Sequence, residues 1–160
     1  LARAEFDFGK RRDALKTMRA AQEALPENSF VLYWLARLYY FDDQLDPAWA
    51  AVQDLTEMQD ANGYDFNFRA TLALAREDLK DARRSIDSAI ELSPWVAHTY
   101  YVNAEIMVHE GRIEEAMIQF KDAYRMDGDD YYLDDMVKVL ISKGRFVEAI
   151  ALRFGLREGG

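Results

Sequence analysis

Alanine recurs at positions 14, 48, 82 and 116, each 34 residues after the last, and once more at 149 after 33. Four places after each of the first four comes a bulky apolar residue, Met18, Val52, Ile86 or Phe120; Arg153 holds that place after Ala149. Seven places after them stand Ala21, Leu55, Ala89 and Ala123. Pro26, Pro94 and Gly128 lie twelve after their alanines, and Gly9, Asp43, Glu77, Gly111 and Gly144 five before theirs. A period this long means that one supersecondary unit is copied along the chain, and that each copy buries its apolar face against the next. Composition sets the type of unit. Three prolines and eight glycines in 160 residues, with Ala, Leu, Glu and Arg plentiful, favour helices throughout.

The period resembles the tetratricopeptide repeat, whose 34-residue unit reads W-x2-L-G-x2-Y, then A-x3-F, then P. The front half is present as Leu32-x2-Leu35-Ala36-x2-Tyr39, and in part as Tyr100-x2-Asn103-Ala104-x2-Met107. Phe66-x2-Arg69-Ala70-x2-Ala73 and Leu133-x2-Met136-Val137-x2-Leu140 follow it more loosely. The resemblance covers the whole chain and implies an all-α fold, an α-solenoid superhelix of antiparallel helix pairs A and B. It implies one repeat domain over 1–160 with about five units, near 1–28 (truncated), 29–62, 63–96, 97–129 and 130–160. Small residues, Ala36, Ala70 and Ala104 on A and Ala14, Ala48, Ala82 and Ala116 on B, let the paired backbones approach. Gly111 and Gly144 are expected to end their A helices in the left-handed conformation. Asp43 takes that conformation with some strain, and Glu77 suits it poorly. Pro26 and Pro94 stop the B helices, Pro47 fits a first turn, and Asn28, Ser29, Ser93 or Asp129 are the expected caps.

In tetratricopeptide proteins the A helices line a concave surface where partners bind. By repeat register the inward places are the second, fifth, sixth, ninth and thirteenth of each unit. They hold Phe30, Tyr33, Trp34, Arg37 and Phe41 in the second unit and Tyr64, Asn67, Phe68, Thr71 and Ala75 in the third. The fourth presents His98, Tyr101, Val102, Glu105 and His109, and the fifth Tyr131, Asp134, Asp135, Lys138 and Ser142. The expected function is a protein–protein interaction scaffold that takes a peptide or partner helix in this groove. Tyr33, Trp34, Phe68 and Tyr101 would give apolar contact, and Arg37, Asn67, His98 and Glu105 polarity and register. Some members of the family clamp the carboxylate-ended tails of chaperones with paired Lys and Asn. The Lys pair is absent here, so that ligand is not expected.

Other functions find little support. The formal net charge is −9, with 10 basic and 14 acidic residues in the first 80 and 10 and 15 in the last 80. The one basic cluster, Lys10-Arg11-Arg12, is too small for a nucleic-acid footprint. No apolar run approaches the roughly 18 to 20 residues of a membrane helix. There is no cysteine, and His98 and His109 stand three helical turns apart, about 16 Å, too far to share a metal. "MDGDDYYLDD" lacks calcium-loop spacing and reads as a capping turn. No nucleophile, base and phosphate-loop pattern occurs, so neither an enzyme nor a cofactor is expected. The last helix carries Phe146, Val147, Ile150, Leu152 and Phe154 with few charges between them. A further helix is expected to cover it, from a longer parent chain or from a second copy in a homodimer. An accessory or oligomerisation domain of a larger enzyme, such as a transferase, is the alternative function.

Overall fold

The computed structural model describes residues 8–155. Among them every regular element is a helix: α1 (Phe8–Ala24), α2 (Ser29–Phe41), α3 (Leu45–Thr56), α4 (Gly63–Ala75), α5 (Leu79–Leu92), α6 (Ala97–His109), α7 (Ile113–Asp127), α8 (Asp130–Ser142) and α9 (Phe146–Gly155). The pairs α2/α3, α4/α5, α6/α7 and α8/α9 are the A and B helices of the second to fifth repeats, and α1 is the B helix of the first. The chain divides into two compact bodies, Leu1–Leu92 and Ser93–Gly160.

The alanine period is a packing period. Ala36, Ala70 and Ala104 on the A helices and Ala48, Ala82 and Ala116 on the B helices have no exposed surface at all, and Ala149 is buried too. A methyl group is the largest side chain the close approach of the paired backbones leaves room for. The residues four further on, Val52, Ile86 and Phe120, fill the space behind them. The core of the first body gathers around Leu32, Leu35, Val52, Leu55 and Leu72. In the second body Val102, Ile106, Phe120 and Met136 are among the most deeply buried.

The four A-to-B turns among the described residues share one geometry. Gln44, Asp78, Arg112 and Arg145 each donate a backbone N–H to the carbonyl five residues back, at Tyr39, Ala73, Met107 and Leu140, all at 2.9 Å. The preceding residues, Asp43, Glu77, Gly111 and Gly144, bond three back and have φ of 55°, 61°, 78° and 73°. This is the Schellman arrangement, which requires a left-handed residue. Glu77 adopts it although its type disfavours it, because two backbone hydrogen bonds and the α4–α5 packing fix the turn. Gly9 differs from its counterparts and lies within α1.

The helix starts are partly as expected. Asn28 accepts from the N–H of Val31 at 3.0 Å and Asp129 from that of Tyr131 at 2.9 Å. Ser93 does not cap α6, which starts four residues later, after Val96. Asn62 and Asp65 form a reciprocal capping box at α4 that the repeat pattern does not signal. Gly128, with φ of 73°, ends α7 in the left-handed conformation.

Candidate functional site

The inward register places of the A helices differ in depth. The second place (Phe30, Tyr64, His98, Tyr131) and the thirteenth (Phe41, Ala75, His109, Ser142) are the more open ones. The fifth and sixth are sunk: Asn67, Phe68, Tyr101 and Val102 are buried, and Tyr33 and Trp34 are half-buried.

In the first body the stripe forms an aromatic cluster around one cation. Phe30, Trp34, Arg37 and Phe41 succeed one another along a single face of α2, with the Phe30 and Trp34 ring centroids 6.2 Å apart. Tyr33 lies 5.9 Å from Trp34 and 6.0 Å from Phe68 of α4. The guanidinium carbon of Arg37 sits 5.5 Å from the ring centres of Tyr33 and Phe41, 5.7 Å from Trp34 and 5.9 Å from Phe68. Ring faces attract a cation, and each such contact stabilises by about 0.5–2 kcal/mol. Arg37 Nη1 donates to the Tyr33 hydroxyl at 2.8 Å. Its Nε is buried and has no acceptor among the described residues. Phe30, Phe41 and Tyr64 around this cluster are 62%, 48% and 55% exposed. Asn67, next to Phe68, is buried, and its backbone carbonyl accepts from Thr71 Oγ1 at 3.1 Å.

The second body holds a hydrogen-bonded network. Tyr101 lies under the ring of His98, stacked at 5.3 Å and 18°. Its hydroxyl is 2.9 Å from Glu105 Oε1 and 2.8 Å from Asp135 Oδ2, and it accepts from the Tyr131 hydroxyl at 2.6 Å. Lys138 Nζ donates to the other oxygen of Asp135 at 2.5 Å. One phenol proton satisfies one carboxylate at a time, so the second close oxygen pair needs a proton of its own. Burial raises the pKa of Glu105, against the pull of the Tyr101 hydroxyl. Burial and the adjoining Glu105 charge also push Tyr101 far up, so it stays a neutral donor. Of the candidates, then, Tyr33, Trp34, Arg37, Asn67 and Phe68 gather on α2 and α4, while His98, Tyr101 and Glu105 gather on α6.

One polar assembly has no counterpart in the repeat pattern. Arg69 occupies the place of the repeat's leucine, and its Nε and Nη2 donate to both oxygens of Asp81 at 2.9 and 3.0 Å. Its Nη1 donates to Thr56 Oγ1 at 2.8 Å, and its guanidinium carbon lies 5.3 Å from the Trp49 ring centre. Burial raises the pKa of Asp81, but the bonds from Arg69 and Arg84 outweigh it and hold the carboxyl below its ordinary value. The legible signal is a charged residue in an apolar register place, with an aspartate directly before the repeat alanine Ala82.

Helix pairs with a 34-residue period, a buried alanine on each partner and a Schellman turn between them define a helical-repeat protein. The family model described as "Tetratricopeptide repeat" matches residues 1–61 and 69–131, and the chain belongs to that family. No curated protein matches it in sequence. Among solved structures it is similar to TTC0263, a thermophilic TPR protein of Thermus thermophilus, with a TM-score of 0.79, 19% identity, and 90% of this chain and 80% of that one covered. MamA from Desulfovibrio magneticus RS-1 superposes with a TM-score of 0.77 at 13% identity, over 94% of this chain and 85% of that one. YrrB, described as a TPR protein with an unusual peptide-binding site, gives 0.67 at 19% identity, over 90% and 75%.

Proposed function

We propose that the chain is a protein-interaction scaffold that binds a peptide or partner helix on the A-helix face of its first body, with no catalysis of its own. The observation that carries this reading is the stripe of exposed rings, Phe30, Phe41 and Tyr64, set around the half-buried Tyr33, Trp34 and Arg37. Rings that leave their edges open while their neighbours are fixed bind at low entropic cost. The family membership and the peptide-binding description of YrrB agree with this reading. Buried Phe68 would act by holding the face rather than by touching the ligand.

The test is selection of a phage-displayed random peptide library on the intact chain and on Phe30→Ser/Tyr64→Ser. Both positions are exposed, so helicity should be unchanged while enrichment of peptides falls at least tenfold. Equal enrichment by the two proteins would sink the reading and leave an accessory or oligomerisation role, as within a larger enzyme, in its place.

A second reading is carried by α9. Phe146, Val147, Ile150 and Phe154 are all exposed, Val147 by 81% and Phe154 by 70%. In α3 and α7 the corresponding face packs on the next A helix, α4 or α8. A second copy of the chain is the proposed cover, giving a homodimer.

A further inference from the structure

The first body holds a half-buried cation without an anion, Arg37, whereas Arg19, which sits on the ring and hydroxyl of Tyr39, is exposed. Most arginine clusters in the chain include a carboxylate: Arg69 has Asp81, Arg76 has Asp46, Arg112 has Glu110 and Glu115, and Arg145 has Glu114 and Glu148. Among the described residues no carboxylate pairs with Arg37. Its neighbours are four aromatic rings, one of them the phenol of Tyr33 whose hydroxyl accepts from it, and its buried Nε donates to nothing. Rings compensate the charge of a guanidinium but not its directional N–H groups; Nε is enclosed, so the N–H groups a carboxylate meets are those of the terminal nitrogens. The residue remains partly open to solvent, on the same stripe as exposed Phe30 and Phe41.

From this we infer that the face takes a partner segment bearing an acidic side chain, Glu or Asp, flanked by apolar residues. The carboxylate pairs with Arg37, and the flanking residues lie on the rings of Phe30, Phe41 and Tyr64. The inference rests on the proposed binding role of this face and names the chemistry of its ligand. It concerns an internal side chain, so a free chain end is not needed. The net charge of −9 opposes an acidic ligand at long range. That repulsion is screened within about 8 Å at physiological ionic strength, whereas a contact enclosed by rings is screened much less. Acid recognition at Arg37 is therefore a short-range selection and should persist as salt is added.

The test uses three pools of fluorescent nonapeptides, acetylated and amidated at their ends. Each has Leu, Phe or Trp on both sides of a fixed central residue: Glu in one pool, Gln in the second, Lys in the third. Binding to the intact chain is read by fluorescence anisotropy at low and at moderate salt. The Glu pool is expected to bind about tenfold more tightly than the Gln pool, as a charge-assisted pair provides, and the ratio should not fall with salt. Arg37→Gln should abolish the preference, bringing the Glu-to-Gln ratio to about one whatever change the two pools share. Arg37→Lys keeps the charge without the planar fork and should retain only part of the preference.

Equal binding of the Glu and Gln pools by the intact chain overturns the inference and leaves the peptide-binding reading standing. The same holds for a preference for Lys, or for a Glu preference that survives Arg37→Gln. Failure of every pool to bind removes both. The Glu-to-Gln ratio is measured on the unsubstituted protein, so a variant that folds poorly does not rescue the idea.

Discussion

Arg69 and Asp81 show how a repeat position departs from its pattern without losing the fold. In α2 the same register place holds Leu35, fully buried and apolar. In α4 it holds a guanidinium whose side chain is 19% exposed, facing a carboxylate that is 5% exposed. Removing one partner leaves the other charge buried and uncompensated, so Asp81→Ala is expected to lower stability by about 3 kcal/mol in urea unfolding. Arg69→Leu/Asp81→Ala restores the repeat's own residue and removes both charges, and should unfold within about 1 kcal/mol of the unsubstituted chain. The pH dependence has a definite sign. The folded-state pKa of Asp81 is depressed, so its contribution is present above the unfolded carboxyl value near 3.9 and disappears as pH falls through the folded value. An acid titration followed by circular dichroism should show this loss in the unsubstituted chain and not in the double variant.

The turns between paired helices are where local preference and packing pull apart. Four Schellman turns use two glycines, one aspartate and one glutamate for the same left-handed place. A side chain there costs about 1 kcal/mol, and glutamate lacks the short polar group that eases asparagine and aspartate into this conformation. Glu77→Gly is accordingly expected to stabilise the α4–α5 pair by about 1 kcal/mol, and Asp43→Gly by less. Gly144→Ala runs the other way. A Cβ at Gly144 would meet no heavy atom within 4 Å, so its expected cost of about 1 kcal/mol is conformational and involves no clash. Thermal unfolding of the three variants checks the order, and a destabilised Glu77→Gly would refute the account. Glycine, proline and alanine punctuate a helix pair in fixed places, which is why the A and B helices and their turns are legible in the sequence itself. The Asn28 and Asp129 caps are legible for the same reason, whereas Ser93 misleads because it stands before a turn that uses Val96 instead.

The period speaks for packing, and only in part for what the surface presents. Repeat register places Tyr101 and Trp34 on an inward stripe, yet it has no means of separating sunk fifth and sixth places from open second and thirteenth ones. That separation depends on the size of residues on the facing helix. It is why Phe30, Phe41 and Tyr64 stand out in the structure, while Phe68, from the same register list, is buried. The Tyr101–Glu105–Asp135 network is illegible for a related reason: its members come from α6 and α8, and nothing in either stretch alone specifies the other. The apolar residues of α9 are plain in the sequence, and they give the proposed homodimer a direct check. Val147→Lys/Ile150→Glu alters two exposed side chains and should leave helicity intact. In sedimentation at micromolar concentration it is expected to convert a dimer to a monomer, and an unsubstituted chain that is already monomeric would end that proposal. Arg69 has a temporal consequence as well. It leaves the ribosome twelve residues ahead of Asp81, which at typical synthesis rates is about one second. During that interval Trp49 and Thr56, already synthesised, are the partners on offer, and α5 locks the cation in place when it arrives.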